Sequence, residues 1–242
     1  AFSDYLKENN YENFDLKAVL FDMDGVLYDS MKHHSRSWYE TATEFGLQST
    51  PEEFYMHEGR VGTSTIDILV ERNKNRAATK EEKQTIYKRK TELFAKYNTH
   101  ETIPYAYDML KLVKSYRLQP VLVTGSGQKT LLNNLEKDFP GIFRSDMMVT
   151  AYDVKNGKPN PEPYLTGLKK AGNLKPNQTV VVETAPMGVE AGKAAGIFTI
   201  AINTGPLDDN VLWNAGANLV LPSMQALVEN WDSFAGILGL KK

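Results

Sequence analysis

Cysteine is absent from the 242-residue chain, which excludes disulfides, thiolate nucleophiles and Cys-ligated zinc together. Any metal must be held by oxygen or imidazole. An excess of one charge is missing too: 28 Lys and Arg stand against 30 Asp and Glu, a formal net charge of −2. No long run of like charge offers a surface to nucleic acid or membrane, so neither is an expected partner. No segment reaches the roughly 18 apolar residues of a membrane span. The leading AFSDYLKENNYENFD has neither the basic start nor the apolar stretch of a signal peptide. The expectation is a soluble, cytoplasmic protein, taken to be a monomer. Internal repeats and low-complexity tracts are lacking as well. What is present is a hydrophobic content of 41%, enough for one large domain, or a core with a smaller partner, to fold without staples.

Lys17 to Phe21, KAVLF, is too short for a helix and rich enough in Val, Leu and Phe for a buried strand ending at Asp22. After Asp29-Ser30, which can cap a helix, Met31, Trp38, Ala42 and Phe45 follow at helical spacing up to Gly46. Between about Thr50 and Asn98 only helices are predicted. One lies near Pro51 to Met56, one runs from Thr63 through Ile66, Ile68, Leu69 and Val70, and one opens with the capping-box pattern Thr79-x-x-Glu82. The third carries Ile86, Leu93, Phe94 and Tyr97 on one side. Strand and helix alternation then resumes with PVLVT (120–124), MMVT (147–150), TVVVE (179–183), IFTIAIN (197–203) and a weak LVL (219–221). Such alternation predicts an α/β fold, a parallel sheet covered by helices on both faces, with ligands gathered beyond the carboxyl ends of the strands. Asp22, Asp24, Thr124, Lys158 and Glu183 each fall at or just after the end of an apolar strand, or on the loop following one, and so would converge on one edge of the sheet.

Alternate residues of a strand point the same way, so Asp22 and Asp24 can share a side if the extended conformation persists, and Gly25 allows a turn there. Two close carboxylates repel unless a divalent cation stabilises both, and hard oxygen donors suit magnesium. An aspartate beside a cation can act as a nucleophile on phosphorus, while a protonated neighbour donates to the leaving oxygen. The loop Thr124-Gly125-Ser126-Gly127, ahead of a helix bearing Leu131, Leu132 and Leu135, would present hydroxyls and amides to an anion. Lys158 adds a positive charge, completing the stabilisation that a phosphoryl group needs in transfer. Each signal has a plainer reading: Asp-x-Asp as turn chemistry, Thr124 as an N-cap, Lys158 as a solvated side chain, Glu183 as half of any ion pair. Their joint fall on one edge is what argues for a site.

FDMDGVLYDS, LVTGS, GKPNPEPY and VVVETAPMGVEAGKAAG, in that order, resemble the four motifs of the haloacid dehalogenase superfamily, and of its β-phosphoglucomutase-like subgroup, over nearly the whole chain from Lys17. The resemblance implies a Rossmann-like core of residues 1–28 and 102–242, with a helical cap of residues 29–101 inserted after the first motif. It implies Asp22 as nucleophile, Asp24 as general acid and base, and Thr124 and Lys158 as phosphate ligands. Magnesium would be held by Asp22, the carbonyl of Asp24 and the fourth motif. There the chain departs from the subgroup: the second residue of that motif, normally Asp or Asn, is Thr184, so either Glu183 takes over, water intervenes, or magnesium is bound weakly.

The cap loop His57-Glu58-Gly59-Arg60-Val61-Gly62 resembles the subgroup's specificity loop. Arg60 suits a second anionic group, and Glu58 fits a small, highly charged substrate; the two could equally neutralise each other on a surface turn. His34 matches a histidine of the mutases or packs at the domain junction. With Gly125 and Ser126, these complete the expected substrate contacts. The function implied is magnesium-dependent phosphohydrolysis through an aspartyl-phosphate. The substrate would be small and phosphorylated, either inorganic pyrophosphate, whose bacterial hydrolases within the subgroup the chain resembles, or a sugar phosphate. A β-phosphoglucomutase and a non-catalytic phosphate-binding protein are the alternatives.

Overall fold

The structure, a computed structural model, describes residues 2–126 and 129–242, with side chains except those of 129–132. Its six strands are β1 (Ala18–Phe21), β2 (Gln119–Val123), β3 (Met148–Val149), β4 (Thr179–Glu183), β5 (Phe198–Ile202) and β6 (Leu219–Leu221). They form one sheet in the order β3-β2-β1-β4-β5-β6, every pairing parallel. The expected α/β core is therefore present. Val, Leu, Ile and Phe fill the central strands because both faces are covered, and β1, β4 and β5 are buried along their whole length. The register pairs Phe21 with Leu122 on one side and Val182 on the other, so the residues that follow these strands emerge at nearly the same level.

The helices are α1 (Phe2–Glu8), α2 (Met31–Glu44), α3 (Glu53–Met56), α4 (Gly62–Lys74), α5 (Lys80–Tyr97), α6 (Ala106–Ser115), α7 (Lys129–Asp138), α8 (Glu162–Lys170), α9 (Pro186–Ala194), α10 (Asp209–Ala215) and α11 (Met224–Ile237). Helices α2 to α5 stand between β1 and β2 and enclose their own apolar cluster around Trp38, Phe54, Ile66 and Leu69, separate from the clusters on the two faces of the sheet. This is the expected helical cap. The capping box at Thr79 and Glu82 forms as the sequence indicates.

Some local expectations change. Ser30 sits at the N-cap of α2 without capping it, because its hydroxyl donates to Asp24 instead. Strand β3 shrinks to two residues. Gly127, and the side chains of Leu131 and Leu132, lie outside the described residues. Helix α1, which carries no clear periodic signal, is held by aromatic packing of Phe2 and Tyr5 on Phe14 and Phe198, and by the Tyr5 hydroxyl, which donates to the Gly196 carbonyl at 2.8 Å. Among the described residues, no helix is long and apolar enough to cross a membrane.

Candidate active site

Asp22 leaves the end of β1 and is 4% exposed. Asp24, equally buried, is reached through a turn closed by the Gly25 amide donating to the Tyr28 carbonyl at 2.8 Å. Gly25 has φ +78°, and a Cβ there would stand 2.6 Å from Thr184 Cγ2. Only glycine meets both demands, which explains why it follows the Asp-x-Asp at once.

Lys158 lies beneath the pair. Its ammonium donates to Asp22 Oδ1 and Glu183 Oε1, each at 2.6 Å, and to the Val123 carbonyl at 3.1 Å. Burial alone would lower its pKa, but the two carboxylates more than offset that and hold it above the usual lysine range. Glu183 Oε1 also accepts from the Tyr164 hydroxyl at 2.6 Å, while Oε2 accepts from the amides of Thr184 at 2.9 Å and Ala185 at 3.3 Å. Both oxygens of Glu183 are thus engaged inside the protein. The Thr184 hydroxyl lies 3.1 Å from that of Thr204, which donates to the Gly25 carbonyl at 2.8 Å.

The two aspartates are pushed apart in acidity. Burial drives the Asp22 carboxyl up to about 7, with Asp24 and Glu183 adding repulsion and Lys158 opposing it. Burial also acts upward on Asp24, but His34, the Ser30 hydroxyl and Lys90 outweigh it and hold it below its ordinary value. The two carboxyls thus differ in acidity because their surroundings differ, with Asp24 the more readily ionised of the pair.

The cap closes over this group. Its loop lies directly on the core: Cβ atoms at Gly59 and Gly125 would stand 3.1 Å from Lys158 Cδ and 3.2 Å from the Gly59 carbonyl oxygen, respectively. A pocket of about 70 Å³, partly open to solvent, remains at this seam, and its lining includes Asp24, His34, Glu58, Arg60, Lys90 and Ser126. By a similar measure one water needs about 10–15 Å³, so the pocket has room for a few waters or one small anion.

Glu58, partly buried, has its carboxyl pushed well above the usual range by burial and by the charges of Asp24 and Asp22. His34 stacks on Phe94 at 4.0 Å, its Nδ1 accepts from the Lys90 ammonium at 2.7 Å, and its Nε2 stands 3.3 Å from Asp24 Oδ1. The junction-packing and site readings of His34 thus coincide. Arg60 does not pair with Glu58; its Nη1 donates to Ser64 at 3.2 Å. Thr124 is buried, and its hydroxyl accepts from the Ser126 amide at 3.0 Å.

Lys90 is the site residue that sequence reasoning missed. It is 3% exposed, packs near Trp38 and Phe94, and burial lowers its ammonium to about 8 despite Glu58 and Asp24. The signal was available, since position 90 falls on the same helix stripe as Ile86, Leu93, Phe94 and Tyr97.

The charges of Asp22 and Asp24 reach each other and Glu58, a repulsion of the kind a hard divalent cation would relieve. No three His, Cys, Asp or Glu side chains among the described residues are already gathered for coordination, so backbone carbonyl, hydroxyl or water must complete any shell.

The chain resembles known proteins along most of its length. It is 33% identical to the phosphorylated carbohydrates phosphatase of Thermotoga maritima over 204 residues, covering 84% of this chain and 92% of that one. It is likewise 33% identical to hexitol phosphatase A of Escherichia coli over 214 residues, covering 87% and 93%. A solved structure from Bacteroides vulgatus, provisionally described as a β-phosphoglucomutase, superposes with a TM-score of 0.93 at 54% identity, covering 98% of this chain and 96% of that one. With the haloacid dehalogenase-like hydrolase model matching residues 19–202 as well, the chain belongs to the haloacid dehalogenase-like hydrolases and is a phosphatase of that family.

Proposed function

We propose that the protein is a magnesium-dependent phosphohydrolase that works through an aspartyl-phosphate on Asp22 and takes a small, highly charged substrate, inorganic pyrophosphate first. The observation that carries the substrate reading is the small pocket of about 70 Å³, lined by His57 and Arg60, whose Nδ1 and Nε are buried without hydrogen-bond partners among the described residues. Buried polar atoms are seldom left unpaired, and unpaired nitrogens around a small void suit an anion.

In the first half-reaction an Asp22 oxygen attacks phosphorus; the bond to the leaving oxygen breaks, and that oxygen takes its electron pair and a proton from Asp24. In the second, Asp24 takes a proton from water as the water oxygen attacks phosphorus and releases Asp22. The attack needs Asp22 ionised, a form that the Lys158 ammonium favours, and Asp24 protonated, a form that an anionic phosphate beside it favours. Lys158 and the Thr124 hydroxyl offset charge on the transferring group, with Gly125 and Ser126 beside them. Magnesium, held by Asp22, the Asp24 carbonyl and the Thr184 position, would supply charge neutralisation at the phosphoryl oxygens. Glu183 anchors Lys158 in place of acting as a metal ligand. Residues 29–101 form the cap, and Glu58 and Arg60 face the part of the substrate that is not transferred.

A second reading, a sugar phosphate, is favoured by the aromatic walls Trp38, Phe54 and Tyr87 and by the substrates named for the relatives. Phosphate release from pyrophosphate and a panel of hexose and hexitol phosphates decides between them: pyrophosphate fastest supports the first reading, while any sugar phosphate faster overturns it. Isomerised hexose phosphate from β-glucose 1-phosphate would instead establish a mutase.

A further inference from the structure

Tyr164, the last residue of the GKPNPEPY stretch, is wholly buried near the start of α8, and the resemblance gives its hydroxyl no role. Its ring packs within the sheet-face cluster that includes Leu20 and Val123, which accounts for an aromatic residue but not for a phenol. The hydroxyl donates to Glu183 Oε1, the same oxygen that accepts from Lys158, and the Lys158 ammonium lies 5.1 Å from the centre of the Tyr164 ring.

All three hydrogens of the Lys158 ammonium are committed, to Asp22, Glu183 and the Val123 carbonyl. It can donate to an incoming phosphoryl oxygen only by releasing a partner. Of its two carboxylate partners, only Glu183 Oε1 already has a second side-chain donor in place. If Lys158 lets go of Glu183, Tyr164 still serves that oxygen and the amides of Thr184 and Ala185 serve the other. Without the phenol, the same movement strips Oε1 of a fully buried carboxylate of every donor described, a costly state.

We propose that Tyr164 is a positioning residue: its hydroxyl holds Glu183 satisfied so that Lys158 is free to follow the phosphoryl group during transfer. The proposal rests on the aspartyl-phosphate reading above. It assigns Tyr164 an effect that grows as charge moves off Asp22, and hence an effect on kcat more than on KM.

The test is Tyr164→Phe, which keeps the ring and its packing and removes one oxygen, followed by phosphate release from the fastest compound of the panel, pyrophosphate in the first instance. The expected result is a kcat roughly tenfold lower, about 1.4 kcal/mol in barrier, with KM within about twofold of wild type. Because the hydroxyl acts through Glu183, Tyr164→Phe added to Glu183→Gln should cost less than about twofold further. A Tyr164→Phe kcat within twofold of wild type, or an equal loss in both backgrounds, overturns the proposal. Asp22→Asn separates the two layers of inference. Turnover surviving in Asp22→Asn removes the nucleophile assignment and this proposal with it. Turnover lost in Asp22→Asn but unchanged in Tyr164→Phe removes this proposal alone.

Discussion

Replacing Lys158 by Met keeps most of the side-chain volume and removes the charge, and the structure sets both the size and the pH dependence of the result. The Lys158 side chain is 1% exposed, between carboxylates of Asp22 and Glu183 that are themselves 6% and 1% exposed. Leaving a buried charge without its partner costs about 3–5 kcal/mol, a large share of the roughly 5–15 kcal/mol that holds a typical domain folded. The loss depends on pH because Asp22 has an alternative to the missing cation, namely a proton. Its carboxyl stands at about 7 even with Lys158 opposing the rise, so in Lys158→Met it moves higher. A carboxyl raised on folding binds more protons in the folded than in the unfolded state above about pH 4, so stability falls as pH rises. Lys158→Met should therefore be destabilised more at pH 8 than at pH 5.5, where protonated Asp22 relieves part of the cost. Urea unfolding followed by far-UV circular dichroism at both values, against wild type, measures it. A loss under 1 kcal/mol that is identical at the two pH values would refute the reasoning.

Gly188→Ala places a Cβ 1.8 Å from Glu183 Oε1, whereas Gly192→Ala meets the Thr199 hydroxyl oxygen at 2.4 Å, away from the site. The first should abolish most phosphate release, and the second should lower the melting temperature with activity largely retained; wild-type turnover in Gly188→Ala contradicts the assignment of Glu183. Gly125→Ala brings a Cβ to 3.2 Å from the Gly59 carbonyl and should hold the cap loop off the core. Its expected signature is a KM for pyrophosphate raised several-fold at an unchanged urea midpoint, and an unchanged KM counts against cap seating at this seam. Magnesium should raise the melting temperature of the wild type more at pH 7.5 than at pH 5.5, because protons compete for Asp22 below about 7. Scanning fluorimetry with and without the metal checks this, and equal shifts at the two pH values speak against Asp22 as a ligand.

The sheet was legible because β1, β4 and β5 are apolar runs bounded by turns, and a parallel strand buried on both faces has little else it can be. The Asp22, Asp24, Thr124 and Lys158 group was legible because Asp22, Asp24 and Thr124 sit where strands end and Lys158 on the loop that follows one, and parallel strands end together. Hidden residues follow a different logic. Lys90 reads as a solvated lysine of a charged helix unless its place on the stripe of Ile86, Leu93 and Phe94, which packs inward with α5 against α2, is given more weight than its charge. Tyr164 reads as one more apolar position of α8, since nothing local reveals that its phenol meets Glu183 from another element. Glu183 reads as a ligand because it is an acid in the right motif, yet four donors converge on it from Lys158, Tyr164 and two amides. Helix α1 was invisible because its tertiary aromatic contacts, with little periodicity of its own, hold it.

The two passages of chain between core and cap are stitched to each other: Asp29 donates to the Glu101 carbonyl at 2.9 Å, Ile103 to the Leu27 carbonyl at 2.8 Å, and Tyr28 bridges both Asp24 and Thr102. Because Tyr28 belongs to that tie and also to the turn that places Asp24, the seam between cap and core and the seat of that carboxylate are built from one set of backbone hydrogen bonds.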